Sequence, residues 1–139
     1  MEIFPGARAL LQTLSPDQWA IVTSGTPQVA RIRMRLCGIS TPAVLVTAND
    51  VRQGKPAPEG YLNAARQLGM RPSACIVVED TPPGVASGKA AGTAVIAVAS
   101  THAPDALRMA DIIIPTLTDI GIAKGPSGGL TIRIGSAEH

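Results

Sequence analysis

Three short runs in this sequence set hydroxyl, ammonium and carboxylate groups directly behind apolar stretches. Thr23-Ser24-Gly25-Thr26 comes before Pro27, Lys55 sits in Gly54-Lys55-Pro56-Ala57-Pro58, and Glu79-Asp80-Thr81 precedes Pro82-Pro83-Gly84. The first run joins a hydroxyl and small residues to the start of a helical stretch, where backbone N–H groups and the helix dipole can hold an anion. The same residue types are also ordinary helix N-caps. Lys55, held between a glycine and a proline, has restricted reach; it is either a fixed point charge for phosphate or a solvated side chain. Glu79 and Asp80 end a buried apolar run, where two carboxylates are costly unless compensated. Mg2+, a hard cation that takes one or two carboxylates plus phosphate oxygens, would compensate them. Capping of the next helix by Asp80 and Thr81 is the competing use. Taken together, the three runs make a phosphate-and-magnesium constellation.

Bringing such groups to one rim requires a sheet whose strands all end there. Strand-length apolar runs occur at 19–23, 44–47, 75–79, 94–99 and 112–114. They are β-branched and nearly continuous, as in parallel strands covered on both faces. Helix-like stretches at 6–14, 28–37, 58–68, 83–91 and 104–109 alternate with them, and the third puts Tyr61, Leu62, Ala65 and Leu68 on one face. This alternation predicts an α/β doubly wound fold, with a mostly parallel sheet and helices on both faces. Leu130–Ile134 alternates in polarity and follows the turn-rich 125–129, which predicts an edge strand, with a frayed tail after it. Ligands of such sheets bind outside the carboxyl ends of the strands, where the three runs lie.

The chain has 139 residues, one domain's worth, and a net charge of +2, too small to call for a nucleic-acid partner. Phe4, Trp19 and Tyr61 are its only aromatic residues, so aromatic stacking platforms are excluded and the core must be aliphatic. Cys37 and Cys75 fit neither a disulfide framework nor a metal knuckle and read as buried thiols. No apolar run has membrane-spanning length and the first residues carry no signal-peptide core, so a soluble, cytoplasmic protein without membrane or nucleic-acid partner is expected. Quieter features are Arg31, Arg33 and Arg35, which cannot share one helix face, the loop residue His102, and Asn49 and Asp50 at a strand end. Trp19 reads as core or rim packing.

AIVTSGT, GKPAPEGYLNAARQLGM and CIVVEDTPPGVASGKAAG resemble motifs two, three and four of the haloacid dehalogenase superfamily. More narrowly, they are similar to its branch of sugar phosphatases, phosphoglycolate phosphatase and β-phosphoglucomutase. The opening PGARALLQTL is similar to the helix that enters the core domain after the cap, and the likeness covers 4–117. The resemblance implies that Thr23, with the Ser24 N–H, hydrogen-bonds a phosphoryl group and that Gly25 belongs to the same loop. It implies further that Lys55 neutralises phosphoryl charge and orients the nucleophile. Asp80 would bind Mg2+ directly, with Glu79 as a nearby ligand or as a partner just behind.

The family's nucleophile and acid–base pair lie in an Asp-x-Asp motif on the central strand. Here the aspartates are Asp17, Asp50, Asp80, Asp105, Asp111 and Asp119, no two of them spaced i, i+2. The resemblance therefore implies a partial core without the cap that selects substrate, and strands with unpaired edges. Self-association, another chain or a rearranged strand order would fill such a gap. Two readings follow: a Mg2+-dependent phosphatase of small phosphomonoesters, or a phosphate- and Mg2+-binding or oligomerisation module without turnover. A response-regulator-like or flavodoxin-like domain would account for the fold but not for the spacing of Thr23, Lys55 and Glu79-Asp80.

Overall fold

A computed structural model describes residues 6–124 and 130–134. Strand and helix alternate: α1 (Ala7–Gln12), β1 (Ala20–Val22), α2 (Pro27–Leu36), β2 (Val44–Val46), α3 (Glu59–Gln67), β3 (Ile76–Glu79), α4 (Pro82–Ala91), β4 (Ala94–Val98), β5 (Ile112–Ile114), β6 (Ile120–Lys124) and β7 (Leu130–Ile134). The fold is α/β with parallel strands, as the alternation predicts.

The parallel strands do not form one sheet. β1 pairs with β2, placing Val22 beside Val46, and β3, β4 and β5 form a second parallel sheet with Val77 beside Val95 and Ile96 beside Ile112. Among the described residues β1 and β3 make no ladder with each other, and no rearranged strand order closes the interval. β7 is not an edge of either parallel sheet; it pairs antiparallel with β6. The periodicity missed β6 because Gly121 and Ala123 interrupt its apolar pattern. The 104–109 stretch is a single 3-10 turn, Pro104–Leu107. The 125–129 turn and the tail after Ile134 fall outside the described residues.

β4 is the strand that is covered on both faces. Val95 and Ala97 join Val77, Val85 and Leu107 on one side, while Ile96 and Val98 join Ile114, Leu117 and Ile120 on the other. α3 covers the other sheet, with Ala64 against Val44 and Val46. β3 departs from the expectation of two covered faces, because Ile76 and Val78 are 45% and 37% exposed. Residues with no helix or strand over them stay wet whatever their pattern. Among the described residues, no helix is long and apolar enough to cross a membrane.

Helix starts are set by hydroxyl caps followed by proline. Thr26 accepts the Val29 N–H ahead of Pro27, and Thr81 accepts the Gly84 N–H at 3.1 Å ahead of Pro82. α4 lies close on the sheet because a Cβ on Gly88 would come within 2.8 Å of the Val95 side chain. At the start of β5, Asp111 accepts from Lys89 Nζ and from the Val95 N–H, each at 2.7 Å. The Lys89 contact, then the backbone donor, hold its carboxyl below the usual range. A depressed folded value contributes stability above the unfolded pKa, about 3.9, and loses it as pH falls through the folded value. Thermal melts of Asp111→Asn should therefore match those of wild type most closely at the acid end, below about pH 4, and diverge above it. Parallel curves from pH 3 to 7 would remove the role.

Candidate functional site

The ends of β1 and β3 and the loop after β2 meet at one open cleft of about 540 Å³. Thr23, Ser24 and Gly25 line it from the end of β1, Lys55 from the loop before α3, and Glu79, Asp80 and Thr81 from the end of β3. The three separated runs thus converge, and the helix-capping alternatives fall to their neighbours. Thr26, not Thr23 or Ser24, caps α2, and Thr81, not Asp80, caps α4. Thr23 Oγ1 accepts the Gly25 N–H at 3.1 Å, which tightens this loop at the strand end.

The Lys55 loop is tied down on both sides. Glu59, at the start of α3, accepts the N–H groups of Arg52 and Gln53 at 2.9 and 3.0 Å, and these two donors hold its carboxyl below the usual range. From α4, the buried Ser87 hydroxyl donates to the Ala57 carbonyl at 2.7 Å. The loop therefore delivers its ammonium to a set place. Thr23 N–H bonds to Val46 O, so backbone alternation turns the Val22 carbonyl to the edge of β1 away from β2. There Lys55 Nζ donates to it at 3.2 Å and forms an ion pair with Glu79 Oε2.

Glu79 is 6% exposed. Its Oε2 accepts from both Lys55 Nζ and the Tyr61 hydroxyl, and its carboxyl lies where a side chain on Gly84 would otherwise be. Burial, and then the adjacent Glu79 charge, push the Tyr61 phenol far above its usual range, so it stays protonated and donates. Asp80 faces the cleft with its Oδ2 accepting from Thr101 Oγ1 at 3.0 Å. Thr101 Oγ1 is also 3.0 Å from Nδ1 of His102, which lies on the cleft. A hydroxyl has one proton; with that proton given to Asp80, Nδ1–H of His102 donates to Thr101.

A hard cation suits the donor type of Asp80, while at Glu79 one oxygen, Oε2, already accepts from Lys55 and Tyr61. Among the described residues no three His, Cys, Asp or Glu side chains cluster as a metal cage, so a cation at Asp80 would draw further oxygens from phosphate or water.

Of the quieter features, Arg33 alone of its three arginines lines the cleft. Asp50 instead accepts from the backbone and hydroxyl of Thr47 at 2.8 and 3.0 Å and closes a local turn. Sequence reasoning missed Tyr61 and Thr101 as members of the site. Helical periodicity put Tyr61 on an apolar face, and the one available signal was that a buried phenol needs a partner.

A family model of haloacid dehalogenase-like hydrolases matches residues 1–92. Hexitol phosphatase A of Escherichia coli (strain K12) is 46% identical over 131 residues, covering 93% of this chain and 61% of that protein. Glycerol-1-phosphate phosphohydrolase 2 of Saccharomyces cerevisiae is 42% identical over 114 residues, covering 75% of this chain and 46% of that protein. Among solved structures, a HAD hydrolase of family IA, variant 3, from Entamoeba histolytica superposes with a TM-score of 0.74 at 28% identity, covering 86% of this chain and 57% of that one. The chain spans less than two thirds of the length of each.

Proposed function

The chain belongs to the haloacid dehalogenase-like hydrolases, and on that premise we propose that it serves the hydrolysis of small phosphomonoesters of the sugar- and polyol-phosphate class with Mg2+. The observation that carries this reading is the convergence of Thr23 and Asp80, from two strand ends, and Lys55, from the loop before α3, on one cleft. Relatives named for hexitol and glycerol-1-phosphate hydrolysis support the substrate class.

Phosphoryl transfer is mostly positioning plus charge stabilisation. In the proposed complex Thr23 Oγ1 and the Ser24 N–H, with Gly25 giving room, hydrogen-bond the phosphoryl oxygens. Lys55, held in place by Val22 O and Glu79, neutralises their charge. Asp80 would hold Mg2+, which when bound would offset phosphate charge and raise the electrophilicity of phosphorus. Glu79 acts at one remove, by holding Lys55. The nucleophilic carboxylate that the family uses would come from outside these residues, on a strand lying between the edges of β1 and β3 that have no partner strand among the described residues. Another chain is one way to supply it; self-association or strand exchange would fill the gap between those edges but would bring the same aspartates.

The module without turnover is favoured by one observation: Asp80 is the single aspartate on the cleft among the described residues. One assay separates the two readings. With folding first verified by circular dichroism, phosphate release from sugar phosphates and p-nitrophenyl phosphate is measured in MgCl2 and in EDTA, with Asp80→Asn alongside. Hydrolysis predicts turnover that EDTA abolishes and that the variant lowers at least about a hundredfold. A folded chain that binds phosphate and releases none from any ester would overturn turnover by this chain alone and favour the binding module.

A further inference from the structure

We propose that Tyr61 is a positioning residue of the phosphoryl site, one that keeps Lys55 available to an incoming anion by sharing the Glu79 carboxylate with it; this rests on the function proposed above. Lys55 Nζ and the Tyr61 hydroxyl converge on one oxygen, Glu79 Oε2. An ammonium has three N–H donors. Lys55 spends one on Glu79 and one on the Val22 carbonyl at 3.2 Å, and the third is left for a ligand in the cleft that Lys55 lines. The face of the Tyr61 ring lies 5.2 Å from the ammonium and braces it from one side.

The phenol matters because Lys55 faces a competition. A buried carboxylate paired with a lysine alone concentrates its charge on that lysine and quenches it for any other anion. A second donor on the same oxygen withdraws part of that charge and stops the carboxyl from turning about its last bond. A phenylalanine here would keep the ring and its packing but lose both effects. Apart from its hydroxyl, Tyr61 packs against an aliphatic cluster of Val77, Val85, Val95, Ala97 and Leu107, so packing alone does not call for a hydroxyl.

The test titrates inorganic phosphate into the full chain by calorimetry in MgCl2, comparing wild type, Tyr61→Phe and Lys55→Met, each melted first so that only folded protein is compared. Tyr61→Phe should bind phosphate roughly tenfold more weakly, and Lys55→Met at least about a hundredfold more weakly. The side-chain ammonium signal of Lys55 in a 1H–15N spectrum, assigned by its loss in Lys55→Met, should move in Tyr61→Phe. A merely structural tyrosine would lower the melting temperature and leave the folded protein's phosphate affinity and that ammonium signal in place. Tyr61→Phe binding within twofold of wild type, with Lys55→Met defective, would overturn the role of Tyr61 and leave the phosphate site standing. Phosphate binding unchanged in Lys55→Met would overturn both.

Discussion

Lys55→Met is expected to destabilise the fold by about 3 kcal/mol as well as to empty the cleft of phosphate affinity. Removing one member of a buried ion pair strands the other, which typically costs about 3–5 kcal/mol. The lower end applies because Tyr61 still donates to Glu79 and because the Lys55 side chain is 17% exposed. Against a total of roughly 5–15 kcal/mol this is a large loss, readable by urea unfolding. The double variant Lys55→Met with Glu79→Leu should recover stability without recovering phosphate binding, since no buried charge is left unpaired. If Lys55→Met unfolds at the wild-type midpoint, the pair is not buried in the way described.

Gly84→Ala is expected to be destabilising by about 2–3 kcal/mol, against what helix propensity forecasts. Gly84 lies in the first turn of α4, where alanine should gain up to about 1 kcal/mol. A Cβ there would overlap the Glu79 carboxyl. A carboxylate is the mobile end of a side chain and could ordinarily swing aside. This one cannot do so without breaking its contacts to Lys55 and Tyr61. The loss should thus appear in stability and in phosphate affinity together. Gly121→Ala, in β6 and off the cleft, is the control, with nothing within 4 Å of its added carbon. In a Glu79→Ala background Gly84→Ala should become neutral or stabilising, a coupling that marks two groups competing for one space. Additive effects of the two changes would refute the account.

Much of this architecture was legible before any coordinates. Hydroxyl–proline pairs at 26–27 and 81–82 predicted helix starts, and both serve as such. Five apolar runs predicted five parallel strands, and each is one. The division of those strands between two sheets was legible only through the resemblance, because periodicity tells which faces of a strand are apolar and not which edges are paired. β6 was not legible, since Gly121 and Ala123 dilute its pattern and only pairing with β7 reveals it. Of the residues that line the cleft, Thr23, Ser24, Gly25, Lys55, Glu79 and Asp80 could be named from residue type and their place behind apolar runs. Tyr61, Thr101 and Arg33 could not, because nothing in their neighbours along the chain distinguishes them.

The sequence alone determined which groups stand at strand ends, since strand length, caps and turns are local and depend on neighbours a few residues away. Only the tertiary structure decided how those groups divide the work. Two adjacent carboxylates, equal in the sequence, are unlike in the fold: both line the cleft, but Glu79 is buried against Lys55 and Tyr61 whereas Asp80 is half-buried and accepts from Thr101. Successive residues of a strand point to opposite faces, and what waits on each face comes from segments far along the chain. Lys55 is 24 residues from Glu79 and 33 from Val22, and no local rule reaches that far.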